Sequence, residues 1–352
     1  MYLVPPSKSV LVVVTYRNCS YSCSHCFCEP GPDKGNFEIA REIALQAYKL
    51  GYDVYFYASE ADQNCFKVYR SIGQNLKNCS ICIREDPATK FLDELNFHEG
   101  RVGISLHGAT KESHEFIAGP NSFEKVIQTI KKVRRVYQDA EINVWCAVNK
   151  KNMYEIRELV ALTHELKVDY LNLMKLGWLG RARKLPNDIF LTQNDILGVI
   201  KTVEEICEKG IYPNPHITLI STWGITNPQA EKFVNDKKSV YYRTEQYCPA
   251  GRQHFTVDSL SKKIWPCHHL AADEKFSIGH WTEKGLLIES PIYQNFIEKV
   301  EEPCKGCEIL KPCGGGCRAE AIAEHMRLTG EYNPYVGLKN CRKILQKNLV
   351  TR

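Results

Sequence analysis

Sixteen cysteines in 352 residues, most of them gathered into two distant groups, constrain this chain more than any other feature. One group, "CSYSCSHCFC", puts Cys19, Cys23, Cys26 and Cys28 into ten positions near the start. The other runs through the last third as Cys248, Cys267, Cys304, Cys307, Cys313, Cys317 and Cys341. Thiols packed so closely are disulfide staples, zinc ligands or ligands of an iron–sulfur cluster. Disulfide frameworks suit small secreted domains in oxidising compartments, whereas 352 residues suggest one large domain plus a smaller one. The longest apolar run near the start, "VLVVV" at 10–14, is far short of a membrane span or a signal-peptide core. The expected location is the cytoplasm, where clustered cysteines read as metal ligands or catalytic groups.

Composition excludes other classes. A hydrophobic share of 43% and a charged share of 25% describe an ordinary globular protein. A net charge of +5 is mild, and its densest run, "KKVRR" at 131–135, falls in a helical pattern as a solvated face. Neither a nucleic-acid partner nor a membrane is expected.

The first half alternates strand-like and helix-like stretches. Strands are expected at 9–16, 53–58, 79–85, 101–108, 141–149 and 168–176, with helices at 38–52, 122–137 and 153–166. Gly51 is a helix stop and Ser122 an N-cap candidate. Such β-then-α units imply a parallel sheet covered by helices. No glycine-rich nucleotide fingerprint follows any strand, so a barrel fits better than a doubly wound sheet. After about residue 224 the alternation stops and turn residues multiply, which suggests a domain held together by metal.

Cys19, Cys23 and Cys26 are spaced Cys-x3-Cys-x2-Cys. Three thiolates in one loop hold three corners of a cubane cluster and leave the fourth iron open. Structural zinc normally takes four ligands in paired spacing. His25 is a possible fourth, without giving a clean tetrahedral set.

This loop resembles that of the radical S-adenosylmethionine (radical SAM) superfamily, a Cys-x3-Cys-x-aromatic-Cys after the first barrel strand. The resemblance implies a [4Fe–4S] cluster on Cys19, Cys23 and Cys26, with His25 in the aromatic slot. Its open iron would chelate the methionine part of SAM, and reduction would release a 5′-deoxyadenosyl radical. Where the family has Gly-Gly-Glu-Pro after the second strand, "ASEA" at 58–61 keeps only Glu60, so Ser59 and Glu60 are the candidate SAM contacts. "ISLHGATKESHEFIAGPNSFEKVI" at 104–127 is similar to the fourth-strand segment, which implies Ser105 near SAM. "AVNKKN" at 147–152 and "GRA" at 180–182 resemble elements after the fifth and sixth strands.

The later group reads "CKGCEILKPCGGGC", followed by Cys341 and preceded by Cys248 and Cys267. It resembles the seven-cysteine motif of the SPASM domain, which implies two auxiliary [4Fe–4S] clusters. By that pattern Cys304, Cys307, Cys313 and Cys341 hold the outer cluster, and Cys248, Cys267 and Cys317 the inner one. A last cysteine serving a different cluster is a known device in two-cluster proteins. With three cysteines, the inner cluster has an open iron or a non-cysteine ligand, for which His254 is the nearest candidate. Lys262 stands where the motif has a glycine, so the hairpin turn there is expected to differ.

The fold implied is a partial (β/α)6 TIM-like barrel over 1–224, a linker over 225–244 and a SPASM domain over 245–352. Cys82, Cys146 and His107 are candidates for a catalytic hydrogen donor or acid–base group; inert burial is the ordinary reading of each. The resemblance implies a radical SAM/SPASM oxidoreductase with three [4Fe–4S] clusters and SAM, served by an external low-potential electron donor. A peptide or protein side chain, crosslinked or oxidised, is favoured as substrate. The alternative is oxidation or epimerisation of a sugar or aminocyclitol.

Overall fold

The β-branched run VLVVVTY forms strand β1, Val10–Tyr16, with Leu11 and Val13 fully buried. The computed structural model describes residues 10–16, 23–27, 37–58, 80–82, 101–219, 223, 248–271, 273–290, 292, 296–308, 310, 315–339 and 341. Helix α1, Phe37–Lys49, carries Glu38 in its first turn and Lys49 in its last, which suits the helix dipole. Its buried stripe, Ala40, Ile43, Ala44 and Ala47, recurs at helical spacing. The chain then turns through Gly51 at φ 89°, the left-handed conformation glycine tolerates. Strand β2, Asp53–Ala58, pairs in parallel with β1.

Further strands follow the same alternation. β3 (Ser80–Cys82) and β4 (Arg101–Ser105) pair in parallel. Next come α2 (Lys111–Ala118), α3 (Phe123–Val136), β5 (Glu141–Val148), α4 (Ile156–Glu165), β6 (Tyr170–Lys175), α5 (Gln193–Lys209) and β7 (His216–Leu219). β6 pairs in parallel with both β5 and β7. β6 is buried on both faces: Leu171 and Leu173 are fully buried, and buried Asn172 between them donates to the Val144 carbonyl at 3.3 Å. The helix expected over 122–137 forms, yet Ser122 does not cap it. Its hydroxyl donates to the Gly119 carbonyl at 2.6 Å, and the Phe123 N–H goes to Glu115 Oε1 at 3.2 Å.

The late region contributes an antiparallel meander. β8 (His254–Asp258), β9 (Lys263–Trp265), β10 (Gly279–Thr282) and β11 (Gly285–Ile288) pair in sequence, and β8 also pairs in parallel with β1. The resulting sheet has the order β11-β10-β9-β8-β1-β2, so β1 is flanked by an early strand and a late one. Lys262 lies in the tight connection between β8 and β9 at φ 58° and takes the left-handed conformation a glycine would. The hairpin turn is therefore kept, and a side chain bears the strain. The short helix α6 (Phe296–Lys299) and α7 (Arg318–Thr329) complete the described elements.

The chain divides into two compact units. The first comprises Met1–Ile104, Lys125–Ile142 and Pro249–Gln294; the second comprises Ser105–Glu124, Asn143–Cys248 and Asn295–Arg352. Among the described residues no helix is long and apolar enough to cross a membrane. The linker expected over 225–244 lies outside the described residues.

Candidate metal centres

In the first unit, Cys23 and Cys26 bound a tight turn through Ser24 and His25, closed by the Cys26 N–H donating to the Cys23 carbonyl at 3.3 Å. Cys23 is buried, while His25 and Cys26 are half-buried. Phe27 follows, its ring edge-on to His269 at 4.9 Å and to His268 at 5.6 Å. Those imidazoles come directly after Cys267, so the opening loop and the Cys267 loop meet through aromatic contacts. Cys19, Ser59 and Glu60 lie outside the described residues, and Ser105 ends β4 half-buried.

His254 starts β8 and its ring lies 5.6 Å from that of His268. Its Nε2 is buried and has no hydrogen bond among the described residues. Burial first, and then His269, push the His254 imidazole down to about 4. Burial pushes His269 to about 4 as well, and His268 well below its ordinary value. Neutral imidazole is the form that binds a metal. The pair His268–His269 was not among the expected site residues; its adjacency to Cys267 in "CHHL" is the signal that marks it.

In the second unit, Cys304 and Cys307 lie on consecutive turns, with the Cys307 N–H donating to the Cys304 carbonyl at 3.0 Å. Cys304 is buried with Phe296 and Val300. The Gly337 backbone lies so close to Cys304 that a Cβ there would collide with the sulfur. Cys317 occupies the N-cap position of α7, with no cap hydrogen bond from its side chain. Burial first, and then the neighbouring Cys248 thiol, push the Cys317 thiol up to about 12. Arg318 locks this turn: its guanidinium lies 3.7 Å from the Phe296 ring centroid and donates to the Val336 and Gly315 carbonyls.

Among the described residues, no three His, Cys, Asp or Glu side chains are gathered tightly enough to hold a metal ion. Cys313, like Cys19, lies outside those residues, as do Cys28, Cys65 and Cys79. Among the described thiols one pair is brought together, Cys248 beside Cys317, and the donor type suits an iron–sulfur group. Thiols are soft ligands of the kind iron–sulfur clusters take. Buried Cys317 has half-buried Cys248 beside it, and a metal binds such groups as thiolates. Gly337 keeps the approach to the Cys304 sulfur open.

The catalytic candidates sit differently. Cys146 on β5 is fully buried, and burial, with Glu155 adding, pushes its thiol well above the ordinary range. Asn152 Nδ2 approaches its sulfur at 3.8 Å. His107 Nδ1 accepts from the Ala147 N–H at 3.1 Å, and His114 Nδ1 accepts from the His107 N–H at 3.0 Å. These contacts knit the segment after β4 to β5. Cys82 contributes backbone to β3.

An alternating α/β chain with thiols gathered after β1 and around α7 is the arrangement that the radical SAM/SPASM resemblance implied, and the comparisons agree with it. The chain's sequence relatives include PqqA peptide cyclases, an anaerobic sulfatase-maturating enzyme and a probable GTP 3',8-cyclase, and its structural neighbours SuiB and the sulfatase-maturating enzyme are radical SAM/SPASM enzymes. PqqA peptide cyclase of Bradyrhizobium diazoefficiens is 21% identical over an alignment of 353 positions that covers 92% of this chain and 83% of that protein. A cysteine-type anaerobic sulfatase-maturating enzyme of Clostridium perfringens is 22% identical over 352 residues, 89% of each chain. Among solved structures, Streptococcus suis SuiB bound to its precursor peptide SuiA shares the fold with a TM-score of 0.70 at 15% identity. That match covers 96% of this chain and 77% of SuiB. No family model matches the chain.

Proposed function

We propose that the chain is a peptide maturase of radical SAM/SPASM type, an oxidoreductase that crosslinks or oxidises a side chain of a peptide or protein. The observation that carries this reading is the fold shared with SuiB over 96% of the chain, SuiB having been solved with a precursor peptide bound and also with S-adenosylmethionine. The similarity to PqqA peptide cyclase over 92% of the chain supports the same substrate class.

In this reading residues 1–224 form the partial (β/α)6 barrel, 225–244 a linker and 245–352 the SPASM domain. Cys19, Cys23 and Cys26 hold the SAM-binding [4Fe–4S] cluster. Cys248, Cys267 and Cys317 hold the inner auxiliary cluster, and Cys304, Cys307, Cys313 and Cys341 the outer one. Bound there and reduced by a low-potential donor, such a cluster would supply the electron for reductive cleavage of SAM and so the means of removing a hydrogen atom from the substrate. The protein's residues bind and orient. His25, Ser59, Glu60 and Ser105 contact SAM at the carboxyl ends of the strands, where barrel sites form. Neutral His254 is available to the inner cluster, with its Nε2 buried. Cys146 and His107 stay structural, since both are buried, with His107 Nδ1 accepting from the Ala147 N–H and the Cys146 sulfur approached by Asn152 Nδ2. The cytoplasm keeps such thiols reduced.

The test is the triple variant Cys19→Ala/Cys23→Ala/Cys26→Ala, purified without oxygen. It should form no 5′-deoxyadenosine with dithionite and SAM, while its iron falls by about one cluster's worth because the other ligands are separate. Undiminished SAM cleavage would refute the assignment.

A further inference from the structure

A lysine and two glutamates share a buried place at the carboxyl end of β6. Lys175, the last residue of the strand, puts Nζ 2.7 Å from Glu320 Oε1, with side-chain exposures of 5% and 8%. Glu324, one turn further along α7, is buried and interacts electrostatically with both. Gly177 makes this approach possible, because a Cβ there would collide with the Glu320 carboxylate. Taking both charges out of water costs about as much as their attraction returns, so such a pair adds little to stability. What it does specify is an arrangement, since the first turn of α7 can dock on the strand end in one register only.

That turn begins at Cys317. Glu320 stands three residues on, in the turn that closes on Cys317 where the Ala321 N–H donates to the Cys317 carbonyl at 3.0 Å. Cys317 is thus held from two sides. Arg318 ties it to the Val336 and Gly315 carbonyls, and Glu320 ties it to β6. We infer that the Lys175–Glu320 pair is a positioning device for the inner auxiliary cluster: it fixes Cys317 relative to the strand end and so sets that cluster's affinity and electronic environment. The inference rests on the reading of Cys317 as an inner-cluster ligand. Groups that orient metal ligands typically matter by about 10–100-fold in metal affinity.

The experiment uses the full chain, reconstituted with iron and sulfide without oxygen. Its readouts are iron content, the electron paramagnetic resonance signals of the auxiliary clusters, their reduction potentials and thermal melting. Lys175→Met and Glu320→Gln should weaken iron retention at the inner cluster by about 10–100-fold and shift its resonance, leaving the outer cluster's signal unchanged. Lys175→Arg, which keeps the charge, should restore the wild-type spectrum. Because a single variant strands a buried charge, the double variant Lys175→Met/Glu320→Leu is included. It removes both charges of the pair, leaves Glu324 to take up a proton as its burial favours, and keeps the fold; its inner-cluster signal and potential should still be shifted. Arg157→Gln breaks an exposed pair with Glu205 and should change nothing. A double variant with a wild-type inner cluster would overturn the inference, as would single variants that alter melting alone. Cys317→Ala must abolish the inner-cluster signal. If that signal survives, the ligand reading fails and the inference with it; if it is lost while the pair variants are silent, the inference alone fails.

Discussion

At the scale of single residues, two side chains bear a cost that the surrounding fold imposes. Lys262 holds φ 58° in the turn between β8 and β9. Its N–H donates to the Asp258 carbonyl at 2.8 Å, and its own carbonyl accepts from Trp281 at 2.7 Å. A left-handed non-glycine residue costs about 1–2 kcal/mol, partly offset by the greater freedom glycine has when unfolded. Lys262→Gly should therefore raise stability by up to about 1 kcal/mol, read as a higher melting temperature. His254 bears a different cost. Its pKa is about 4 in the folded chain, against about 6.5 when unfolded. Between those values the unfolded state binds a proton that the folded state refuses, so stability rises with pH across the window and is lost as pH falls through it. Urea unfolding at pH 5 and pH 7 should show this slope. His254→Phe should reduce it by about 1.4 kcal/mol per pH unit; an unaltered slope would assign the effect to other groups.

At the scale of elements, α5 shows a helix bounded by its own chemistry. Thr192 and Asp195 form a reciprocal capping box at its start, and Gly210 ends it at φ 56°. The expected elements did not include this helix, although Thr-x-x-Asp and a closing glycine are start and stop signals in the sequence. Gly198 within it has open space where a Cβ would stand. Gly198→Ala should stabilise the chain by about 0.5–1 kcal/mol, measurable by thermal melting. Gly337 is the opposite case, since its missing side chain makes room for the Cys304 sulfur. Gly337→Ala should lower the outer cluster's iron content and leave the inner cluster's signal in place, which reconstitution followed by iron analysis would check. Retention of all the iron would remove Cys304 from the proposed ligand set.

At the scale of the whole molecule, the first helix and the last meander strands depend on each other. Gln46 of α1 accepts from the Trp281 indole N–H at 2.8 Å and donates to the Thr282 carbonyl at 3.2 Å. The Tyr52 ring meets Trp281 edge-on at 6.3 Å. Residues more than two hundred positions apart thus close one polar contact in a half-buried place. Gln46→Ala leaves the indole N–H and the carbonyl without their partner and should cost about 1–3 kcal/mol. Chemical denaturation would show it as a lower midpoint with an unchanged slope, and a midpoint equal to wild type would mean that water replaces the amide.

The sequence by itself determined what is local. Periodicity located β1, α1, β2, α3, β5, α4 and β6 to within a few residues, because apolar spacing is written in consecutive positions. The cysteine spacings carried the resemblance to radical SAM/SPASM enzymes, the class of the structural neighbours SuiB and the sulfatase-maturating enzyme. Tertiary structure alone decided what joins distant positions. β8 completes the sheet on β1, the histidines after Cys267 meet Phe27, and Lys175 finds Glu320. Glu320 and Glu324 sit four residues apart in an alanine-rich helix, a spacing that places both on one face. That spacing cannot reveal whether the face meets water or a buried lysine. Burial and pairing are properties of the folded chain's neighbours, and no residue carries its neighbours in its own letter.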